Sequence, residues 1–442
     1  MSDSYLELYN YISAATDFHI NLIRGNNHNA FTRTRKVSTQ DLIYQMLTRR
    51  GRTQWSELMD FYDVKKCDNR ISETGFYLAR KKFNPEAVRV MCNEFTANSY
   101  DNHDEYFEKI KGYYLLSIDG SKITVPNTEE NVSVFGKLRN EENQPAMALV
   151  STLHDCLNAL KLDILVDRAT GNEKNLASQH IDYFCANYIG KAIFTMDRGY
   201  PSMRLIDHII TKNQFFLMRI NSEYLKEYSN DMIAGDDKVV DITFDRIKTN
   251  YYRNDIRFRQ RLMNTVYKLR FTKVKIGEND DGSDKTEILL SNLPYDNFNT
   301  EELKELYHKR WTIETSYNQL KNRMKLEEFS GYKADLVLQD IYADVWCYNL
   351  VALNILEANY KRPIEQLNGK YTIKRNFNKS LGIVKRLLLK LLVYHDDIEL
   401  RKKYEEQLAD NIDSNLIWVE NNRTFSRNSS SNKSEMSYRK SY

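Results

Sequence analysis

The chain has no apolar run long enough to cross a bilayer. Apolar stretches such as RLLLKLLV are short and interrupted by Lys390. The opening segment, MSDSYLELYN, lacks the basic start and apolar core of a signal peptide. We therefore expect a cytoplasmic protein that does not associate with membranes.

Residues that cross-link a chain or interrupt its helices and strands are also scarce. Only five cysteines, six prolines and 15 glycines occur among 442 residues. The cysteines are scattered, odd in number and never arranged as C-x-x-C, so neither a disulfide framework nor a zinc site is indicated. The few glycines and prolines, with no internal repeat or long flexible linker, predict domains that pack closely together.

The formal net charge of +3 is too small to identify a polyanionic partner, because such binding depends on how charge is distributed. Basic residues do cluster near the N-terminus, where Asp41 is the only acid between Arg33 and Arg52. The cluster comprises Arg33, Arg35, Lys36, Arg49, Arg50 and Arg52, followed by Arg80, Lys81 and Lys82. It is typical of a nucleic-acid footprint, but a solvated helical surface is the commoner explanation of a charge run.

The periodicity of apolar residues predicts helices first and strands next. Residues 1 to about 100 form short helices, with capping signals at Ser38 and Ser72. From Tyr113 onwards, short apolar runs predict a mixed sheet with three strands close in sequence, followed by strands that alternate with helices.

The second half of the chain predicts a further sheet and then more helices. The stretch from Asn221 to about Leu293 is rich in aromatic and β-branched residues, which favours a second, mostly antiparallel sheet inserted into the first domain. Helices resume at Thr300. The last twenty or so residues are rich in Ser, Asn, Arg and Lys, a composition typical of disorder.

Two apolar runs end in an aspartate, YYLLSIDGS at Asp119 and AIFTMDRGY at Asp197. An acid just beyond a buried strand is held rigidly at the edge of a sheet, where the ligand sites of open α/β domains lie. Each has an ordinary alternative, because Asp119 and Gly120 form a common turn dipeptide and Asp197 can cap the following helix.

A third carboxylate lies in YHKRWTIETSYNQLKNRMK, which reads as one helix. At about 100 degrees per residue, Tyr307, Arg310, Glu314 and Lys321 share one face beside an apolar stripe. Charges that only solvate a helix are expected opposite its apolar stripe. Glu314 is instead placed where it can reach the edge of a sheet, although a plain Arg310 to Glu314 pair is the structural alternative.

Asp119, Asp197 and Glu314 together have the chemistry of a site for two divalent cations. Hard oxygen ligands suit Mg²⁺, and a pair of such ions assists in-line phosphoryl displacement. Glycoside hydrolysis also uses paired carboxylates, but it does not call for the cationic Arg310 and Lys321 beside them. The motifs of serine hydrolases, P-loop enzymes and zinc proteases are missing from the sequence.

These residues resemble a known family, the insertion-sequence transposases of family four, a branch of the DDE recombinases. The spacing in YHKRWTIETSYNQLK resembles the signature of that family, in which Tyr, Arg, Glu and Lys occur at fixed intervals. IDGSKITVP and TMDRGYPS resemble its first and second aspartate blocks. Together the similar blocks span about residues 113 to 330.

The resemblance implies a ribonuclease-H-like α/β core whose mixed sheet is flanked by helices. It also implies that Asp119, Asp197 and Glu314 bind two Mg²⁺ or Mn²⁺ ions in each active site. DNA phosphates would be contacted near the transposon end by the remaining residues of the motifs, namely Tyr307, Arg310 and Lys321, with Arg198 and Trp311 as weaker candidates.

The division into domains follows from changes in the pattern of apolar residues along the chain and from the resemblance. We expect a helical N-terminal domain that binds DNA ends, a catalytic domain in two parts, a β-rich insertion between them, a C-terminal helical region and a disordered basic tail. Their boundaries are 1–105 for the N-terminal domain, 106–220 and 299–335 for the catalytic parts, 221–298 for the insertion, 336–420 for the C-terminal region and 421–442 for the tail.

The resemblance implies a DNA transposase that cleaves the ends of an insertion sequence and joins them to target DNA by metal-dependent phosphoryl transfer. Its partners would be double-stranded DNA, as terminal inverted repeats and as target, and a second copy of the chain in a homodimer on DNA. A bacterial, nucleoid-associated location is expected. The alternatives are a ribonuclease-H-like nuclease without strand transfer and a non-catalytic DNA-binding protein.

Overall fold

Helices dominate both ends of the chain, and strands and helices are mixed in its middle. The computed structural model describes residues 4–33, 35–138, 144–278, 283–366 and 371–420. No helix within those ranges is long and apolar enough to cross a membrane.

The N-terminal helices begin at side chains that satisfy the free amides of a first turn. Ser38 accepts a hydrogen bond from the amide of Asp41, and Asp41 accepts one in return from the amide of Ser38, forming a capping box. Ser72 caps a later helix through the amide of Gly75, so both predicted caps are confirmed. The helices are α1 (Ser4–Phe18), α2 (Ile20–Arg24), α3 (Thr39–Thr48), α4 (Gln54–Lys65), α5 (Glu73–Arg80) and α6 (Pro85–Asn102).

The middle of the chain forms five strands in the order β3-β2-β1-β4-β5, with helices between them. The elements are β1 (Tyr113–Thr124), α7 (Glu129–Phe135), β2 (Met147–Asp155), β3 (Leu160–Arg168), α8 (Glu173–Asn187), β4 (Lys191–Met196), α9 (Met203–Thr211) and β5 (Phe215–Ile220). Strand β2 is antiparallel to both β1 and β3, whereas β4 is parallel to β1 and β5 is parallel to β4. The mixed α/β sheet predicted from the apolar runs is confirmed.

The β-rich segment continues this sheet. It contains β6 (Asp237–Ile242), α10 (Ile256–Asn264), β7 (Tyr267–Glu278) and β8 (Asp284–Ser291). Strand β8 is hydrogen-bonded antiparallel to β5, with Met218 opposite Leu290, and the full order is β3-β2-β1-β4-β5-β8-β7-β6. The prediction of a separate second sheet is therefore wrong, because β5 would otherwise expose an unpaired edge that β8 covers.

The segment that carries Glu314 is broken into short pieces. It forms α11 (Thr300–Lys309), α12 (Thr312–Asn318) and a π-helical turn (Gln319–Arg323) before α13 (Ala334–Lys361). The predicted single helix is wrong, because the amides of Arg310 and Trp311 bond three residues back and tighten the chain between α11 and α12. The predicted apolar stripe is buried throughout, at Leu306, Ile313, Tyr317, Leu320 and Met324.

The C-terminal region is helical, as predicted, with one strand ribbon that the sequence did not suggest. It consists of β9 (Tyr371–Arg375), α14 (Phe377–Val393), α15 (Ile398–Ser414) and β10 (Leu416–Glu420), and β9 pairs antiparallel with β10. The predicted disordered tail, 421–442, lies outside the described residues.

Helix α13 is buried along most of its length and joins the N-terminal helices to the sheet. Two members of the N-terminal basic cluster are used inside this contact. Arg49 pairs with Asp340 at 2.8 Å and Asp344 at 3.1 Å, and Arg80 pairs with Asp340 at 2.9 Å. These arginines are buried structural residues, so the nucleic-acid footprint predicted for the whole cluster does not hold for them.

Candidate active site

Strand β1 carries Asp119 on the face of the sheet that α11 and α12 cover. Side chains alternate along a strand, so Leu115, Ser117 and Asp119 point to one side. Leu115 packs with Leu303 and Leu306 of α11, which identifies that side. Asp119 was expected beyond the end of the strand but lies within it, opposite Thr152 of β2, because β1 continues to Thr124. The turn alternative for Asp119 and Gly120 is therefore wrong.

Asp197 lies level with Asp119 on the neighbouring strand. Strands β1 and β4 are parallel, with Ser117 opposite Thr195, and each aspartate follows its member of that pair by two residues. Asp197 comes directly after β4, as predicted, and accepts a hydrogen bond from the amide of Gly199 at 2.7 Å. It does not cap the next helix, because Ser202 does. The register thus brings the two aspartates to the same level of the sheet.

The two carboxylates influence each other electrostatically. Burial raises the pKa of Asp119 to about 7, the guanidinium of Arg310 opposes this, and the negative charge of Asp197 adds to it. Like charges that are partly removed from water disfavour ionisation unless a cation neutralises them. The aspartate pair is therefore a place where a cation would be stabilised.

Glu314 approaches from α12, which is bonded to the backbone of β1. The hydroxyl of Tyr317 lies 2.8 Å from the carbonyl oxygen of Asp119, to which it can donate, and 3.0 Å from that of Val150. Glu314 has a side chain 37% exposed and accepts a hydrogen bond from Nη2 of Arg310 at 3.0 Å. The helical pair weighed as an alternative is thus present, and the charge of its Arg310 acts on the pKa of Asp119.

The structure does not gather the three acids into a ready-made cage. Within the described ranges, no group of three or more His, Cys, Asp or Glu side chains is arranged to hold a metal ion. Arg310 interacts with acids from both elements, since it donates a hydrogen bond to Glu314 and its charge lowers the pKa of Asp119. Its Nε is buried and has no hydrogen-bond partner among the residues that the structure describes.

The other residues of the predicted motif are placed differently from one another. Tyr307 is buried against the sheet, and burial raises its pKa to about 12. Lys321 donates a hydrogen bond of 2.7 Å to the carbonyl of Lys122, and burial lowers its pKa. Trp311 is 42% exposed and Arg198 is also exposed, so the structure leaves both at the surface.

Sequence reasoning missed Glu173, a fourth acid beside the aspartates. It is the first residue of α8 and accepts a hydrogen bond of 3.0 Å from the hydroxyl of Tyr200. Its carboxyl group lies so near Gly120 that a Cβ atom there would be 3.1 Å from Cδ of Glu173. The charge of Glu173 also contributes to the raised pKa of Asp119. The sequence signal that could have identified Glu173 is its place in the first turn of the helix that follows β3.

Sequence reasoning also missed a basic surface on the insertion. Residues 246–261 contain six basic side chains and one acid, a net charge of +5 compared with +3 for the whole chain. Within it, Ile247 is 85% exposed and Tyr251 is 89% exposed. We call the exposed basic, aliphatic and aromatic residues of this segment the basic face of the insertion; they are Arg246, Ile247, Lys248, Tyr251, Arg253, Ile256, Arg257 and Arg261.

Comparison with known proteins gives the family. Residues 110–350, more than half of the chain, match the family described as the transposase DDE domain. The chain belongs to the transposase DDE domain family. It is 23% identical over 341 residues to transposase InsG for insertion sequence element IS4 of Escherichia coli (strain K12), covering 76% of this chain and 72% of that protein.

One solved structure is also similar, the cryo-EM structure of the piggyBac transposase synaptic complex with hairpin DNA. The identity is 12%, the TM-score is 0.43, and the match covers 92% of this chain and 83% of the other.

Membership of the family confirms the predicted class, a DNA transposase of the DDE type that cleaves and joins DNA. The family uses divalent metal, and the residues present fit such an ion in chemistry: Asp119 and Asp197 offer hard oxygen ligands at one level of the sheet. The raised pKa of Asp119 supports the fit, because a cation would favour the ionised carboxylates.

Proposed function

We propose that this chain cuts the ends of an insertion sequence and joins them to target DNA at a site formed by Asp119, Asp197 and Glu314. The observation that carries the proposal is the register of β1 and β4, which brings both aspartates to one level. Helix α12, which bears Glu314, covers the same face and is bonded to the backbone of Asp119 through Tyr317.

The three acids would hold two Mg²⁺ or Mn²⁺ ions. When bound, such ions lower the pKa of an attacking water or 3′-hydroxyl and neutralise charge on the phosphate being transferred. The contribution of Glu314 requires its carboxylate to exchange Arg310 for metal, since the two are ion-paired at 3.0 Å. Arg310 would then be free to bind the phosphate.

A buried guanidinium next to the acids suits this second role of Arg310. Its side chain is 6% exposed, and its Nε has no partner among the described residues. A phosphate oxygen would satisfy that donor with a charge-assisted hydrogen bond. Trp311 and Arg198 lie at the surface, where an indole can stack on an unpaired base and a guanidinium can pair with a phosphate. Tyr307 and Lys321 would position these side chains instead of contacting the DNA themselves.

The core is proposed to be ribonuclease-H-like. Support comes from its five-stranded half, in which three antiparallel strands are followed by two that are parallel to the first. The domain boundaries that we expected also remain proposals, and residues 1–105 would hold the DNA end. Arg49 and Arg80 are buried, so the exposed members of that basic cluster would make the phosphate contacts.

The basic face of the insertion is proposed as a further DNA contact. Its net charge of +5 exceeds that of the whole chain, and phosphate attraction follows local charge density. Two ends must be brought together for transposition, so we propose a homodimer on DNA.

The decisive experiment is a nicking and joining assay on DNA that carries the terminal inverted repeat of the element, with Mg²⁺ or Mn²⁺. Glu314→Gln should abolish cleavage and leave DNA binding within about two-fold, because it removes one charge from the site without changing its volume. Glu305→Gln is the matched control, since Glu305 is an exposed acid on α11. Cleavage that survives Glu314→Gln would remove Glu314 from the site.

Joining distinguishes a transposase from a nuclease. The wild-type protein should transfer a pre-cut 3′ end into a second DNA molecule, and cutting without any transfer would favour the nuclease alternative.

A further inference from the structure

Strand β3 carries a lysine in the interior of the protein. Lys161 is 0% exposed, and its ammonium donates hydrogen bonds to Oγ of Ser316 at 2.7 Å and to Oγ1 of Thr152 at 3.2 Å. The rings of Tyr317 and Tyr348 lie 4.7 Å and 5.7 Å from the ammonium nitrogen. No carboxylate in the described ranges forms an ion pair with it, so its hydrogen-bond partners are neutral hydroxyl groups.

Such a group is expensive to bury. Moving an ammonium from water into a protein interior costs several kcal/mol, and an apolar side chain of the same volume would avoid the cost. Burial accordingly lowers the pKa of Lys161 to about 7, with Asp119 acting in the opposite direction. A charge held at this cost provides strong, directed hydrogen bonds that an apolar residue cannot make.

Those bonds connect the two elements that carry the candidate acids. Ser316 and Tyr317 follow Glu314 by two and three residues on α12. On the other side, Thr152 pairs with Asp119 across β1 and β2.

The donors and acceptors form a consistent chain. Lys161 donates to Thr152, whose hydroxyl donates to Oη of Tyr317 at 3.1 Å, and Tyr317 can donate to the carbonyl oxygen of Asp119 at 2.8 Å. Lys161 also donates to Ser316, whose hydroxyl donates to the carbonyl of Ile313 at 2.6 Å, directly before Glu314. Both routes begin at one ammonium.

We propose that Lys161 is a positioning residue that fixes the helix of Glu314 against the strand of Asp119. The inference rests on the proposed function of these acids. Helix α12 needs such an anchor because it has only seven residues and is bounded by the break at Arg310 and by a π-helical turn. The ammonium holds the turn directly after Glu314, where a displacement would move the carboxylate most.

The test is Lys161→Met, which keeps the length and volume of the side chain and removes the donors. Three quantities are measured on the full chain: the Kd for terminal-repeat DNA, the single-turnover cleavage rate, and Mn²⁺ binding followed by electron paramagnetic resonance. DNA binding should stay within about two-fold. Cleavage should fall about 100-fold, the scale on which small misplacements act, and Mn²⁺ affinity should fall at least about ten-fold.

Two further variants separate positioning from general stability. Tyr267→Phe removes a buried hydrogen bond from β7 of the insertion to Asp207 of α9, so it should lower the melting temperature without changing cleavage or Mn²⁺ affinity. Ser316→Ala keeps the charge of Lys161 but removes its nearest acceptor, and it should reproduce a weaker form of the Lys161→Met result. If Lys161→Met does not fold, Ser316→Ala decides the question.

The proposal is overturned if the folded variant cleaves DNA and binds Mn²⁺ within two-fold of the wild-type protein. It is also overturned if the variant loses DNA binding together with cleavage and Mn²⁺ binding, because that pattern indicates a purely structural residue. Failure of the proposed function looks different: the wild-type protein itself would not cleave, or Glu314→Gln would retain cleavage.

Discussion

The basic face of the insertion can be tested by removing Arg253 and Arg257 together. Both side chains are exposed, and neither forms an ion pair with a described residue, so their loss should leave the fold intact. Arg261 is less suitable, because it is paired with Asp207 at 2.9 Å. The double variant Arg253→Ala/Arg257→Ala therefore changes phosphate contacts and little else.

The expected magnitude follows from counterion release. Each phosphate contact contributes about 0.9 to the slope of log K against log salt concentration on duplex DNA. Losing two contacts should reduce the steepness of that slope by about 1.8. Between 50 and 200 mM salt, the wild-type affinity should consequently fall about 12-fold more than the affinity of the variant.

The measurement is fluorescence anisotropy on terminal-repeat DNA over a series of salt concentrations. Lys402→Ala/Lys403→Ala is the matched control, because it removes the same charge from exposed positions on α15. A slope that is unchanged in Arg253→Ala/Arg257→Ala would refute the contact. Equal changes in both double variants would also refute it, since the effect would then come from net charge alone.

The electrostatics of buried acids leads to two further predictions. Because the pKa of Asp119 is raised from 3.8 to about 7, the metal-free folded state holds a proton that the unfolded chain releases, and it loses stability as pH rises between those values. Asp119→Asn should therefore melt at a higher temperature than the wild-type protein at pH 8. At pH 3.5 the two proteins should melt at the same temperature. Added Mg²⁺ should raise the melting temperature of the wild-type protein but not that of the variant. Asp340→Asn breaks the pairs with Arg49 and Arg80 and should cost about 3 to 5 kcal/mol in urea unfolding, whereas exposed Asp335→Asn on the same helix should change little.

The two aspartates could be singled out from the sequence because the apolar residues of a buried strand form a recognisable run. Runs of Tyr, Leu, Ile and Phe identify β1 and β4, and an acid near the end of such a run is unusual enough to notice. The length of β1 was harder to predict, because its second half, DGSKIT, is polar and contains a glycine. Its pairing with β2 decides that those residues are strand, and pairing is a tertiary fact.

The insertion shows the same limit for whole elements. Alternating polarity correctly indicated strands between 237 and 291, but it does not identify the edge to which a strand attaches. Strand β8 pairs with β5, so one sheet of eight strands results where two sheets were predicted. The basic face has a different reason for being hard to find, because acids elsewhere offset its charge of +5 and leave only +3 for the whole chain.

The segment that carries Glu314 shows why residue spacing alone did not predict how the residues of the motif are arranged. Residue spacing on an ideal helix predicts which side chains share a face, but α11 ends at Lys309 and α12 begins at Thr312, so Tyr307 and Glu314 belong to different helices. Tyr307 consequently packs into the core, whereas Arg310, at the junction, pairs with Glu314 and acts on the charge of Asp119. In the proposed function the acids would therefore differ before metal binds: Asp119 and Asp197 could hold a cation as they stand, whereas Glu314 could join them only after a phosphate replaced it on Arg310. Metal binding and DNA binding should for this reason strengthen each other.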